Sequence, residues 1–137
     1  MKLNPDCIRA ILLEIENSWE ITATSDGILK MGNLSIEAIY NALPDYDKKD
    51  IFYSLYNLEQ AGYVNMDVFW ADGGVYHCSI NYMTYDGHKF LDSVRDSKRW
   101  AGVKKGLEAV RNYSLDVIAS IAEGITSAAI SKYLESN

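Results

Sequence analysis

The sequence predicts an α+β fold: a winged-helix-like domain with a β-hairpin wing and a C-terminal helical extension. Three observations predict it. Apolar residues recur at helical spacing in three early segments, a run of β-branched and aromatic residues split by Ala71-Asp72-Gly73-Gly74 follows, and helical periodicity then returns to the end of the chain. With 137 residues, 48% of them hydrophobic and 23% charged, the chain is long enough for one folded domain with one principal core.

Asn4 is a good helix cap and Pro5 suits a first helical position, where a missing N–H costs least. Cys7, Ile8, Ile11, Leu12 and Ile15 then make one apolar face, so the first helix is expected from about Pro5 to Asn17. Ser25-Asp26-Gly27 marks a turn, and Ile28, Leu29 and Met31 suggest a short strand before Gly32-Asn33. Ser35 opens a second helix carrying Ile36, Ile39, Tyr40 and Leu43, which Pro44 ends. Asp45 or Asp47 caps a third through Ala61, with Ile51, Phe52, Leu55 and Leu58 inward and Gly62 placed for a left-handed exit. Tyr63 to Trp70 and Val75 to Tyr82 form the expected hairpin.

Thr84 caps a further helix with Phe90, Leu91 and Val94, and Asp96-Ser97 can interrupt it before Trp100, Val103, Leu107 and Val110. Ser114 restarts a last helix, Leu115 to Leu134. Its faces carry Leu115, Ile118, Ala122, Ile125 and Ala129, with Val117, Ile121 and Ala128 beside them. So broad an apolar surface must be covered by the domain or by another subunit. The boundaries expected are 1–92 for the winged-helix-like domain and 93–137 for an extension that packs on it or mediates dimerisation.

The net charge is −6 and uneven: residues 1–87 hold 5 basic against 13 acidic residues, and residues 88–137 hold 8 against 6. Arg95, Lys98, Arg99, Lys104, Lys105 and Arg111 form the one basic cluster, read either as a solvated helix face or as steering for an acidic or phosphate-bearing partner. Cys7 and Cys78 lack metal or redox spacing, and Met1 to Asp6 lacks an export signal, so reduced thiols in a cytoplasmic protein are expected. No apolar run reaches membrane-spanning length.

Chemistry is sparse. His77 and Cys78 adjoin in a strand and should face opposite ways, and Asp86 and His88 around Gly87 read as a turn or cap before an acid-base pair. No HExxH, EF-hand, zinc-finger or phosphate-loop pattern occurs. The expectation is therefore no enzyme, no metal and no cofactor.

The opening Met1-Lys2-Leu3-Asn4-Pro5-Asp6-Cys7-Ile8-Arg9, the segment Leu58 to Tyr63, and Met83 to Asp92 through Arg95 and Trp100 resemble the bacterial and prophage DUF2513 domain family over nearly the whole chain. Trp19 to Asn33 departs from that family's spacing. The resemblance supplies no established catalytic residues to carry over, and its phage association implies an accessory or regulatory role. Within it, Gly62-Tyr63 looks like the exit from a recognition-position helix into a wing, and Thr84 to Leu91 like the passage that follows the wing.

DNA reading needs positive charge, yet Ser35 to Tyr63 holds Lys48 and Lys49 against five acidic residues, and Tyr63 to Tyr85 holds no Lys or Arg. A non-catalytic protein-interaction or regulatory role, with a protein partner and homodimerisation, is therefore preferred. It uses Tyr53, Tyr56, Phe69 and Trp70 as contact surface and Arg95, Lys98, Arg99, Lys104 and Lys105 for steering. The alternative is a dimeric DNA-binding transcriptional regulator using Lys48, Lys49, Tyr53, Asn57, Gln60 and the wing.

Overall fold

The computed structural model describes residues 1–135, which fold as an α+β arrangement of six helices and two small antiparallel sheets. Helix α1 (Pro5–Ser18) begins at the expected cap: Asn4 Oδ1 accepts the Cys7 N–H at 3.3 Å, and Cys7, Ile8, Ile11, Leu12 and Ile15 are buried. An exposed two-stranded ribbon follows, β1 (Thr22–Ala23) against β2 (Leu29–Lys30), closed by Thr24 and Gly27. The expected strand at Ile28 to Met31 is thus half of a ribbon whose other half, two residues without alternation, gives no sequence signal.

A third short strand, β3 (Leu34–Ser35), runs directly into α2 (Ile36–Ala42), whose amino end Ser35 Oγ caps through the Ala38 N–H. After Pro44, Asp47 rather than Asp45 caps α3 (Lys48–Gln60), accepting the Lys49 N–H at 3.0 Å. Helix α3 leaves through a Schellman turn. Gly62 sits at φ 80°, its N–H reaches Glu59 O, and the Tyr63 N–H reaches Leu58 O.

Strands β4 (Val64–Ala71) and β5 (Gly74–Met83) make the hairpin, with Asp72 and Gly73 both at positive φ in a two-residue turn. The sheet order is β3-β5-β4, so β4 is an edge strand. Register shifts occur between Asn65 and Met66 and between Phe69 and Trp70, where Asn81 and Tyr76 are the extra residues of β5. The carbonyl and side chain of Asn81 are all engaged. Its carbonyl accepts the Trp19 indole N–H at 2.6 Å, its Oδ1 accepts from Asn33, and its Nδ2 donates to Asn65 and Asp67.

Helix α4 (Tyr85–Val94) is capped by Thr84, whose Oγ accepts the Gly87 N–H at 3.0 Å and donates to Gly62 O at 2.6 Å. The Thr84 N–H bonds Tyr63 O, and the Tyr63 ring stacks on Phe90 with centroids 4.9 Å apart. The Leu58 to Tyr63 and Met83 to Leu91 segments, read separately in the sequence, therefore meet as one junction between helix, hairpin and helix.

Asp96 caps α5 (Ser97–Val110) through the Arg99 N–H, and α6 (Leu115–Glu135) follows a left-handed Arg111. Gly102 and Gly106 let α6 lie close. A Cβ at Gly106 would stand 3.0 Å from Ile121 Cγ2, and one at Gly102 3.4 Å from Ile125 Cδ1. Leu115, Ile118 and Ala122 are buried there, while Ala128, Ile130 and Leu134 farther along remain exposed. The expected apolar face of the last helix is thus covered over its first half by the chain itself. Buried residues of all six helices and of β4 and β5 join one cluster, to which Trp100 brings α5 by donating its indole N–H to Asp6 at 2.8 Å.

Candidate functional site

Helix geometry sorts the residues of α3. With Ile51, Ser54, Leu55 and Leu58 buried, Lys49, Tyr53, Tyr56 and Gln60 fall at i, i+4, i+7 and i+11 along the opposite side. That stripe carries no carboxylate, because Asp50 and Glu59 lie on its flanks. The acidic excess counted along the segment is thus not spread evenly around the helix.

Beside the stripe, Phe52 links helix to hairpin. Its ring centroid is 6.4 Å from Tyr56 and 6.5 Å from Trp70, the latter edge-on at 87°. Trp70 is 60% exposed and Tyr56 42%, so two exposed rings joined by the partly buried Phe52 form a ridge across α3 and β4. Phe52 was read from the sequence only as a core residue, yet it is the half-buried middle of this ridge.

The structure separates Phe69 from Trp70. Adjacent strand residues face opposite ways, so Trp70 stands over α3 opposite Val75, while Phe69 lies on the other face and stacks on His77 at 6.1 Å. Tyr76 and Tyr82, six residues apart, would share a face of a regular strand, but Tyr76 and Asn81 are the extra residues of the two bulges, which displaces them. Among the residues expected on α3, Tyr53 donates its hydroxyl to Met1 O, Asn57 donates to Tyr53 O, and Gln60 contacts Glu59 at 3.4 Å. Lys48 lies 5.4 Å over the Tyr40 ring and, with Lys49, borders an open cleft of about 320 Å³ also lined by Phe52, Tyr76 and His77.

The basic cluster is partly consumed within the molecule. Arg95 makes a forked ion pair with Glu16, Nη2 to Oε2 at 2.6 Å, and a second contact to Asp92 at 3.0 Å. Lys104 Nζ lies 3.3 Å from Asp6. Lys98, Arg99 and Lys105 make no ion pair among the described residues. Arg9, named in the sequence only within the opening family segment, donates to the carbonyls of Val94 and Arg95 and stacks over Trp100 at 5.8 Å, tying the carboxyl end of α4 to α1.

The fork from Arg95 holds the Glu16 carboxyl below its usual value of 4.5. A depressed folded pKa contributes stability that is present above the unfolded value and lost as pH falls through the folded one. The urea midpoint is therefore expected to fall as pH drops below about 4.5, and to fall less steeply in an Arg95→Gln variant. Equal acid sensitivity of the two proteins would contradict this. Burial pushes Cys78 up to about 11 and also raises Cys7, so both thiols stay protonated near neutrality.

His77 and Cys78 face opposite sides of the sheet, and no group of three or more His, Cys, Asp or Glu among the described residues is arranged to hold a metal ion. No helix there is long and apolar enough to cross a membrane. A second cavity, about 380 Å³, is lined by Ile15, Glu16, Trp19, Met31, Tyr82 and His88. Ile28, Leu29 and Met31, in and next to the second ribbon strand, are exposed apolar side chains, and Met31 reaches this cavity.

The family model described as Hypothetical protein (DUF2513) matches residues 2–113, ending in the turn before α6. No curated protein matches the chain.

Proposed function

The chain belongs to the DUF2513 family, and from that premise we propose that it is a winged-helix-like, non-catalytic regulatory or adaptor protein, phage- or prophage-associated by family resemblance. It engages a protein partner through the ridge of Tyr56, Phe52 and Trp70. The winged-helix reading is supported by the succession α1, β3, α2, α3, β4, β5 and by the sheet order β3-β5-β4, in which the β4–β5 hairpin is the wing. The observation that carries the functional reading is the ridge itself. Large rings left in water and packed on one another are the side chains from which the energetic centres of protein interfaces are built. The net charge of −6 and a wing without Lys or Arg weigh against a polyanionic partner.

A photocrosslinking residue in place of Tyr56, introduced in the host cell, tests this. It should give a discrete adduct that disappears with Trp70→Ala and is absent when the probe replaces the exposed Tyr85 instead. Equal labelling at both positions would remove the ridge as a contact surface. Ala128, Ile130 and Leu134 on the outer half of α6 support self-association, for which light-scattering mass is the measurement.

The carboxylate-free stripe of Lys49, Tyr53, Tyr56 and Gln60 favours one second reading, a dimeric DNA-binding regulator. On that reading mixed-sequence duplex binds with salt dependence, and neutralising Lys48 and Lys49 together lowers the log–log salt slope by about 2. An unchanged slope would exclude this helix from the contact.

A further inference from the structure

Strand β4 is 8 residues long and lies at the edge of its sheet. On its inner side it pairs with β5 throughout, from Val64↔Met83 to Ala71↔Gly74. On its outer side, no strand among the described residues pairs with it. Protein edge strands are commonly protected by Lys, Pro, a bulge, a covering element or short length, and the two bulges of this hairpin have their extra residues in β5 rather than in β4. Val64 to Ala71 contains neither Lys nor Pro, and Asn65, Asp67, Phe69, Trp70 and Ala71 are all exposed. Asp67 is the one charged residue on the strand, and a single carboxylate selects against acidic neighbours while favouring basic ones.

We infer that the outer edge of β4 accepts an extended peptide segment of a partner protein by strand addition, and that this segment alternates basic with apolar side chains. The inference rests on the partner-binding reading above and specifies its mode and chemistry. Strand addition supplies main-chain hydrogen bonds, and the pleat sends alternate side chains of the incoming segment to the two faces. On the outer face they would lie beside Asn65, Asp67 and Phe69, and on the inner face beside Met66, Val68 and Trp70.

Charge decides between the candidate occupants. The hairpin from Tyr63 to Tyr85 contains Asp67 and Asp72 and neither Lys nor Arg, so a second copy of β4 would bring an acidic strand to an acidic strand. A Lys- or Arg-bearing segment meets the opposite field. At the far end of the strand, Trp70 and Phe52 offer an apolar shelf for one large side chain of the same segment.

The test uses the full chain and a set of capped peptides as long as β4: one of alternating lysine and valine, one of alternating glutamate and valine, and two lysine peptides N-methylated at one or the other alternate set of positions. Anisotropy should show the lysine peptide binding more tightly than the glutamate peptide. N-methylation of one alternate set should weaken binding by about tenfold or more, because only that set directs its N–H groups at β4. The other set should bind as the unmodified peptide does. Asp67→Asn should weaken the lysine peptide by about two- to fivefold, the range of an exposed ion pair.

Strand addition is overturned if both methylated peptides bind as well as the parent, if the glutamate peptide binds equally, or if no peptide binds. Loss of the Tyr56 adduct in cells with the peptide pattern intact would instead overturn the ridge as the partner's contact while leaving the edge in place.

Discussion

Gly87→Ala is expected to destabilise the protein by about 2–4 kcal/mol, although a glycine-to-alanine change inside a helix ordinarily stabilises by up to about 1 kcal/mol. The reason is local. A Cβ on Gly87 would stand 2.0 Å from the Tyr63 carbonyl oxygen and 2.9 Å from its carbon, which are backbone atoms and cannot rotate aside. Relief requires α4 to move away from the hairpin base, and that breaks the Thr84 cap, the Thr84 N–H bond to Tyr63 O and the Tyr63–Phe90 stack together. A lost cap costs about 1 kcal/mol and a lost ring pair about as much, before any overpacking strain. Gly124 in α6 is the matched control, with nothing within 4 Å of its would-be Cβ. Gly124→Ala should raise stability by about 0.5–1 kcal/mol. Urea denaturation of the two variants reads both signs, and a Gly87→Ala protein as stable as the parent would refute the contact argument.

Trp100→Ala should cost about 3–5 kcal/mol, the range for removing a large buried ring. Trp100 is 5% exposed, sits beneath Arg9 and holds Asp6, so it joins α5 to α1 by packing, a cation–π contact and a hydrogen bond at once. Trp100→Phe separates these contributions. It keeps most of the ring and loses the indole N–H, and because Lys104 and water still serve Asp6, the loss should be only about 1 kcal/mol. The urea slope adds a second readout. If the helices from Ser97 onward loosen as a unit in Trp100→Ala while the rest stays folded, the transition splits or its slope falls; a single transition of unchanged slope means that the two parts unfold together.

Helix starts were legible in the sequence because a cap is a local device. Asn4, Ser35 and Thr84 each act within three residues, and so does the Gly62 exit; Asp96, expected only as an interruption, caps α5 in the same local way. Strands β1 and β3 were not legible, since two residues carry no period. The displacement of Tyr82 from the Tyr76 face was equally hidden, because a bulge depends on what Asn81 meets across the fold. Charge was legible as a sum but not as a surface. The pairing of Arg95 with Glu16 spans 79 residues, and that of Trp100 with Asp6 spans 94. The aromatic ridge lay between these cases: Tyr56 and Trp70 were visible as candidates, whereas Phe52 needed the hairpin to fold back over α3 before its role as their link could be seen.

The junction at Thr84 has a kinetic consequence. By joining Gly62 to Thr84, it closes a loop of 22 residues at its base, so the hairpin tip can fray without the fraying reaching the helices. Hydrogen exchange is expected to show the amide protons of Tyr63, Thr84 and Gly87 among the slowest and those of Asp72 and Gly73 among the fastest; equal rates at root and tip would contradict this. The hairpin thus has a free end that moves independently and a root whose exchange is expected to report global unfolding.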